Sequence, residues 1–138
     1  MNLITTINNN VNLKSLNQDF YDRFKKGVED YGKAVIIASG FRGWLHQFTL
    51  WQGYRLFGNG APANEPGRSA HNFGLAVDAH PANGIEDDYA LLGECLSKYG
   101  IKRSTNPKER WHYQCNSFKM IPMAAYLIIA SCFFLSSL

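Results

Sequence analysis

The sequence predicts one small α+β domain in which a central, mostly antiparallel sheet is flanked by helices. Three observations support this fold class. Helical and strand-like patterns alternate without the regular repeat of a doubly wound sheet. The 138 residues suffice for one domain with a modest core. A hydrophobic content of 46% against 18% charged residues excludes a disordered chain.

The first half of the chain contains two helical patterns and one strand pattern. Residues up to about Asn12 are rich in Asn and Thr, and we expect a loose lead-in there. Apolar residues then recur at four-residue intervals, which predicts an amphipathic helix from about Ser15 to Gly32. The run Ala34–Ala38 is apolar and β-branched and predicts a buried strand, and Trp44–Phe57 predicts a second helix.

The second half predicts one more helix and three short strands. Leu75–Pro81 follows a turn-rich stretch and reads as a strand. Asp87–Tyr99 has helical spacing, with acidic residues at its start that suit the helix dipole. Ile101–Arg103 and Trp111–Gln114 complete the set of predicted strands.

Two imidazoles and one carboxylate are candidates for the ligands of a single divalent metal. They are His71, Asp78 and His112. Gly74 permits a tight bend that brings His71 and Asp78 to a common point. Alternation along the last strand places His112 on one face with Gln114. Three protein ligands leave the fourth position of a tetrahedral zinc open for water, as in catalytic rather than structural zinc sites.

Two further side chains suit the hydrolysis of an amide at such a metal. Glu109 lies three residues before His112, near the turn that enters the strand, where it can accept the proton of the water. A wall formed by Trp111 would raise the basicity of this carboxylate. Arg42 follows the strand in the motif SGFR, and a fixed guanidinium there would stabilise the negative charge that develops on a carbonyl oxygen.

These motifs resemble those of the zinc D-Ala-D-Ala carboxypeptidase and L-Ala-D-Glu endopeptidase family, which includes single-domain bacteriophage endolysins. The family pattern Ser-x-His-x-x-Gly-x-Ala-x-Asp is met by residues 69–78, and Glu-x-x-His by residues 109–112. The family element Ser-Gly-Tyr-Arg with a later Gln is similar to SGFRGWLHQ at residues 39–47. Together the similar segments span most of the chain from about Leu16 to Phe118.

The resemblance implies a role for each matched residue. Zn²⁺ would be bound by His71, Asp78 and His112, with Glu109 as catalytic base, Arg42 on the substrate carbonyl or a carboxylate, and Ser69 and Gln47 as substrate-positioning groups. It implies a fold like that of hedgehog and D-Ala-D-Ala-peptidase domains over residues 1–118. The implied partner is bacterial peptidoglycan.

The implied reaction is hydrolysis of an amide bond in the peptide stem of peptidoglycan. The short, endolysin-like length favours an L-Ala-D-Glu endopeptidase. A D-Ala-D-Ala carboxypeptidase is an alternative, and so is a zinc-holding binding module that has lost activity. We expect a monomer that stays in the host cytoplasm until it is released to the cell wall, because Met1 to Asn12 lacks the features of a signal peptide.

Residues 119–138 form an apolar tail that the compact members of the family do not need. No charged residue occurs from Met120 to Leu138. At about 1.5 Å per residue, a helix of this length reaches across a hydrocarbon core of about 30 Å. A membrane segment is therefore one prediction, and a helix packed on the domain is the alternative. In a third interpretation the tail itself is the active part of a membrane-associated lysis protein.

Other readings of the sequence have less support. A net charge of +3 is too small to predict a nucleic-acid partner. Three cysteines are too few for a disulfide framework. A cysteine peptidase built on Cys95 or Cys115 would leave the spacing of the His71 motif unexplained. His80 is an open alternative as a ligand, because it follows Asp78 by two residues on the predicted strand.

Overall fold

Five strands form one sheet in the order β1-β2-β3-β5-β4. The structure, a computed structural model, describes residues 2–58 and 60–122 together with 125, 127, 128, 131 and 132. The strands are β1 (Ile4–Thr6), β2 (Val35–Ser39), β3 (Ala76–Pro81), β4 (Ile101–Arg103) and β5 (His112–Cys115). The β1–β2 pair is parallel and the other three pairs are antiparallel. The predicted α+β class with a mostly antiparallel sheet is confirmed.

Three helices connect these strands. They are α1 (Gln18–Tyr31), α2 (Trp44–Phe57) and α3 (Glu86–Ser97), with short 3-10 turns at Leu13–Ser15, Ala70–Phe73 and Pro107–Glu109. The sequence predicted α2 and β4 with the bounds that the structure gives them, and the other predicted elements agree to within three residues at each end.

The prediction of a loose lead-in up to Asn12 was wrong, because this segment contains β1. Ile4 is buried, and backbone hydrogen bonds join Val35 N to the Leu3 carbonyl at 2.8 Å and Ile7 N to the Ile37 carbonyl at 2.9 Å. Three residues are too few for a period to show. The strand is stabilised by parallel pairing with β2, about thirty residues later in the chain. A local sequence pattern does not indicate so distant a partner.

Helices α1 and α3 pack on one face of the sheet and enclose the core. Asn17 caps α1 by accepting a hydrogen bond from Phe20 N at 3.0 Å. A Cβ at Gly27 would lie 2.5 Å from a methyl carbon of Leu96, so the glycine permits the close approach of the two helices. The sheet contributes Val77, Ala79, Ile101, Tyr113 and Cys115 to this core. Because side chains alternate along a strand, residues 78, 102, 112 and 114 lie on the opposite face.

The C-terminal tail, predicted as residues 119–138, lies for the most part outside the described residues, so its assignment as a membrane segment stays a prediction. Within the described part of the chain, no helix combines the length and the hydrophobicity needed to cross a bilayer. Just before the tail, Phe118 packs against the edge of the core. The division of the chain into residues 1–118 and 119–138 also remains a prediction.

Candidate metal centre

Three ligand atoms from His71, Asp78 and His112 meet at one point on the open face of the sheet. His71 Nε2 lies 3.2 Å from His112 Nδ1 and 3.3 Å from Asp78 Oδ1, and His112 Nδ1 lies 3.1 Å from the same carboxylate oxygen. Atoms bonded at 2.0–2.1 Å to a tetrahedral zinc are separated from each other by roughly 3.4 Å. The triangle therefore has the size that a zinc ion requires, and these side chains can hold a metal ion.

The backbone explains why residues so far apart in sequence converge. Asp78 and His112 are directly paired neighbours on β3 and β5. The 3-10 turn that carries His71 begins at Ser69, whose Oγ accepts a hydrogen bond from His71 N at 3.3 Å. It ends at Gly74, which has a φ of +68°. A Cβ at Gly74 would lie 2.6 Å from Asn17 N, so the motif glycine also lets this turn pack against the start of α1.

The second ring nitrogen of His71 is held by the backbone. Its Nδ1 lies 2.7 Å from the Gly40 carbonyl oxygen, which can only accept, so Nδ1–H is the donor and Nε2 keeps its lone pair for a metal. His71 is 2% exposed, and burial lowers its pKa, which favours the neutral form that metals bind. The Gly40 contact was not predicted, because nothing in the sequence marks a carbonyl as a partner.

The second ring nitrogen of His112 is held by the side chain of Gln114. Its Oε1 lies 2.9 Å from His112 Nε2, so Nε2–H donates to the amide and Nδ1 faces the other two ligands. Burial acts to lower the pKa of His112, but the hydrogen bond and charge of Asp78 outweigh it and raise that pKa in the absence of a bound cation. The alternation along the predicted strand correctly placed Gln114 on the same face as His112. The sequence did not predict that Gln114 holds the ring of His112.

Arg42 contacts the metal-ligand group directly. Its Nη2 pairs with Asp78 Oδ2, the carboxylate oxygen that faces away from the two imidazoles, and its Nε donates to Ser39 Oγ at 2.9 Å. Burial acts to raise the pKa of Asp78, but His71, His112 and Arg42 outweigh it and hold that pKa far below its ordinary value. Asp78 is therefore ionised, as a metal ligand must be.

Glu109 lies at the end of the last 3-10 turn and lines the same cavity as the three ligands. Burial raises the pKa of its carboxyl, against the lowering effects of His112, Arg42 and a hydrogen bond from Ser104. The direction agrees with the sequence prediction. A carboxylate with a raised pKa accepts a proton more readily, so Glu109 is suited to general base catalysis.

The cavity over the ligand group has a volume of about 400 Å³. Both remaining predicted site residues line it. Ser69 is buried where it caps the turn of His71, and Gln47 is 1% exposed. Gln47 Nε2 donates to the Asn64 carbonyl at 2.7 Å, whereas its Oε1 has no hydrogen-bond partner among the described residues. A buried acceptor without a donor is costly, so Oε1 is available to a ligand in the cavity.

Two alternative readings of the sequence are not supported by the geometry. His80 is not part of the ligand group: its Nδ1 lies 2.8 Å from Tyr89 Oη. Cys115 is on the face of β5 opposite His112, and its Sγ contacts Arg23 Nη2 at 3.3 Å and Ser117 Oγ at 3.0 Å. Its thiol is therefore not placed beside the imidazoles.

The fold and the ligand group together define a metallopeptidase-like domain with two imidazoles and one carboxylate at an open site. No protein-family model matches the sequence, and no curated protein matches it. Solved structures do match. The L-Ala D-Glu endopeptidase ChiX of Serratia marcescens aligns with a TM-score of 0.60 at 17% identity, over 75% of this chain and 83% of ChiX.

Two further solved structures, a D,D-pentapeptidase and an L,D-carboxypeptidase, are also similar. The vancomycin-resistance D,D-pentapeptidase VanY from the VanB-type cassette, in complex with Zn(II), aligns with a TM-score of 0.53 at 26% identity, over 72% of this chain and 70% of VanY. The L,D-carboxypeptidase DacB of Streptococcus pneumoniae aligns with a TM-score of 0.53 at 25% identity, over 85% and 72%. The resemblance to zinc carboxypeptidases and endopeptidases of peptidoglycan is therefore confirmed, at low sequence identity and at the level of the shared fold.

Proposed function

We propose that this protein is a zinc metallopeptidase that hydrolyses an amide bond in the peptide stem of bacterial peptidoglycan. The observation that carries the proposal is the triangle of His71 Nε2, Asp78 Oδ1 and His112 Nδ1, which has the dimensions of a zinc site and shares one cavity with Glu109. The similar structures support the substrate class, because they are named for peptide bonds that involve D-amino acids, and one of them holds Zn(II).

In this site each side chain has a separate task in the hydrolysis. Zinc, when bound, supplies a Lewis acid for the carbonyl and brings the pKa of a water close to neutrality. Glu109 accepts one proton as the oxygen of water bonds to the carbonyl carbon. It then returns that proton to the amide nitrogen as the C–N bond breaks, so that a carboxylic acid and an amine leave.

Arg42 combines two tasks. Its contacts with Asp78 and Ser39 fix the guanidinium at the wall of the cavity, and they hold the ligand carboxylate in place. A fixed positive charge there stabilises the oxyanion of the transition state more than the neutral carbonyl of the ground state.

Gln47 and Ser69 act on substrate and site in different ways. The unpaired Oε1 of Gln47 accepts an N–H of the bound peptide, which satisfies a buried acceptor only when substrate is present. Ser69 Oγ is engaged in capping the turn of His71, so its first effect is on the position of that ligand. It also lines the cavity and remains a proposed substrate contact.

Between the two candidate bonds we favour the L-Ala-D-Glu bond, within the life cycle of a phage-type endolysin. The lining of the cavity reaches beyond the three candidate ligands to Gln47 and Asn64 and to Lys102 and Thr105. A lining of this extent leaves room for substrate residues next to the scissile bond. Cleavage of a terminal D-Ala is the second candidate, since DacB is named an L,D-carboxypeptidase.

The test is digestion of purified peptidoglycan, with mass spectrometry of the released fragments. The wild type is compared with Glu109→Ala and with Glu94→Ala, a matched control on the exposed face of α3. We expect cleavage by the wild type and the control, loss of cleavage in Glu109→Ala, loss with a chelator and recovery with zinc. If Glu109→Ala digests as well as the wild type, or if the wild type releases nothing with zinc present, the peptidase proposal is wrong and a binding module is favoured.

A further inference from the structure

Lys102 stands on the wall of the same cavity, although no motif in the sequence singles it out. It is the middle residue of β4 and is paired across the sheet with Gln114, which holds His112. Directly opposed residues on one face have Cβ atoms about 5 Å apart. Lys102 therefore rises from the sheet one strand beyond the metal-ligand group, with Ser104 next to it on the same face.

The ammonium group of Lys102 is not engaged by any residue that the structure describes. Lys102 is exposed, and it makes no hydrogen bond or ion pair with any residue in the described part of the chain. The two other cations at the cavity differ in this respect. Arg42 is committed to Asp78 and Ser39, and the stem of Arg103 lies against α3, where it would be 3.3 Å from a Cβ at Gly93. Lys102 therefore has a positive charge available to a ligand.

The position of Glu109 shows which half of the substrate faces Lys102. Under the proposed function, Glu109 delivers the proton to the leaving nitrogen, so the leaving residue lies on the Glu109 side of the ligand group. Ser104, which hydrogen-bonds Glu109, shares its strand face with Lys102. Arg42 follows β2, which lies on the side of β3 and β5 away from β4, so under the proposed function it is assigned to the acyl half.

We infer that Lys102 is a specificity-determining residue that binds the α-carboxylate of the amino acid on the leaving side of the scissile bond. This inference rests on the proposed function and deepens it. A terminal D-Ala carries this carboxylate at the end of the chain. A stem D-Glu that is linked onward through its γ-carboxyl also carries a free α-carboxylate. The recognised chemistry is thus the same for both candidate bonds, and conversion of the carboxylate to an amide removes it.

The experiment uses two pairs of synthetic stem peptides and the zinc-loaded full chain. One pair has D-Glu or D-isoglutamine after L-Ala, and the other ends in D-Ala-D-Ala as acid or as amide. We expect kcat/KM of the wild type to be roughly tenfold higher for the acid of the cleaved pair, through KM, because a charge-assisted hydrogen bond is lost in the amide. Lys102→Met removes the preference by raising KM for the acid, Lys102→Arg retains it, and Lys26→Met, an exposed lysine on α1, behaves as wild type.

A binding measurement separates recognition from turnover. In the Glu109→Ala background, calorimetry should show tighter binding of the acid than of the amide, and Lys102→Met should abolish the difference. Equal use of acid and amide by the wild type, or a preference that survives in Lys102→Met, overturns the role of Lys102 while leaving the peptidase intact. If the wild type with zinc cleaves neither pair, the proposed function and this inference fail together.

Discussion

The Nε2 atom of His112 lies 2.9 Å from Oε1 of Gln114, its neighbour two positions along β5. This bond selects the tautomer in which Nδ1 is the free nitrogen, and it fixes the ring against rotation. The orientation of this candidate metal ligand therefore depends on the amide of Gln114 as well as on the imidazole.

We therefore expect Gln114→Leu to weaken zinc binding by roughly 10–100-fold while the protein stays folded. The measurement is a competition titration with a chromogenic zinc chelator. Gln18→Leu, at an exposed position in the first turn of α1, is the control and should bind zinc as the wild type does. An unchanged affinity in Gln114→Leu would show that the ring of His112 is held by its packing alone.

The raised pKa of Glu109 predicts the acid limb of the pH profile. A general base must be ionised, so kcat/KM should rise with pH through a pKa higher than that of an ordinary exposed glutamate, because burial raises the pKa of Glu109. Ser104→Ala removes a hydrogen bond that favours the ionised form, and should move the limb to still higher pH. Rates are measured with zinc occupancy determined at each pH, since protonation of the histidines also releases metal. A limb that Ser104→Ala leaves in place would assign it to another group.

The hydrogen bonds of Asp88, which lies away from the site, predict that part of the free energy of unfolding is lost in acid. Its Oδ2 accepts hydrogen bonds from Tyr31 Oη at 2.6 Å, Asn83 Nδ2 at 2.7 Å and Lys33 Nζ at 2.9 Å. These bonds lower the pKa of Asp88 to about 2. Since the folded pKa lies below the unfolded one, the stabilisation is present above about pH 4. It is lost as the pH falls towards 2.

Asp88→Asn should accordingly be less stable than the wild type at neutral pH, with the difference shrinking as the pH falls from about 4 to 2. Urea denaturation over this range is the measurement. The control is Asp87→Asn, one residue earlier, whose side chain is exposed. A difference between Asp88→Asn and the wild type that does not depend on pH would contradict the assignment.

Alanine substitutions at Gly74 and Gly84 would distinguish the cost of backbone strain from the cost of a steric clash. Both have a positive φ, +68° and +69°, but only at Gly74 would a new Cβ meet backbone, 2.6 Å from Asn17 N. Gly84→Ala should lower the free energy of unfolding by about 1–2 kcal/mol through the left-handed conformation alone. Gly74→Ala should lower it further and should also weaken zinc binding, because it displaces the turn of His71. Equal losses of stability in urea for the two variants would refute the packing role of Gly74.

The sequence predicted those parts of the molecule that repeat a local pattern. The helix α2 and the strand β4 are bounded by turn-forming residues, with Gly43 before and Gly58 after α2, and Gly100 before and Ser104 to Pro107 after β4. The candidate ligand set follows from a motif whose residues are held by a turn and two adjacent strands. It did not predict β1, because three residues that pair with a distant strand have no periodicity of their own.

The pairing of Arg42 with Asp78 also could not be predicted from the sequence. It depends on an irregularity in β2 between Ile37 and Ser39 that places Ser39 opposite Asp78. The bond of His71 to the Gly40 carbonyl depends on the course of the same segment. Such contacts depend on the register between neighbouring strands. The spacing of residues along the sequence does not determine that register.

Two of the three ligands project from adjacent strands in the interior of the sheet, and the third is anchored through its Nδ1 to a backbone carbonyl. The positions of these side chains are thus held by strand pairing and by a backbone hydrogen bond, in addition to any bond to an ion. Under the proposed function, the supply of zinc in the surroundings would govern how many copies are competent, and zinc that binds the folded chain would add to its stability by mass action.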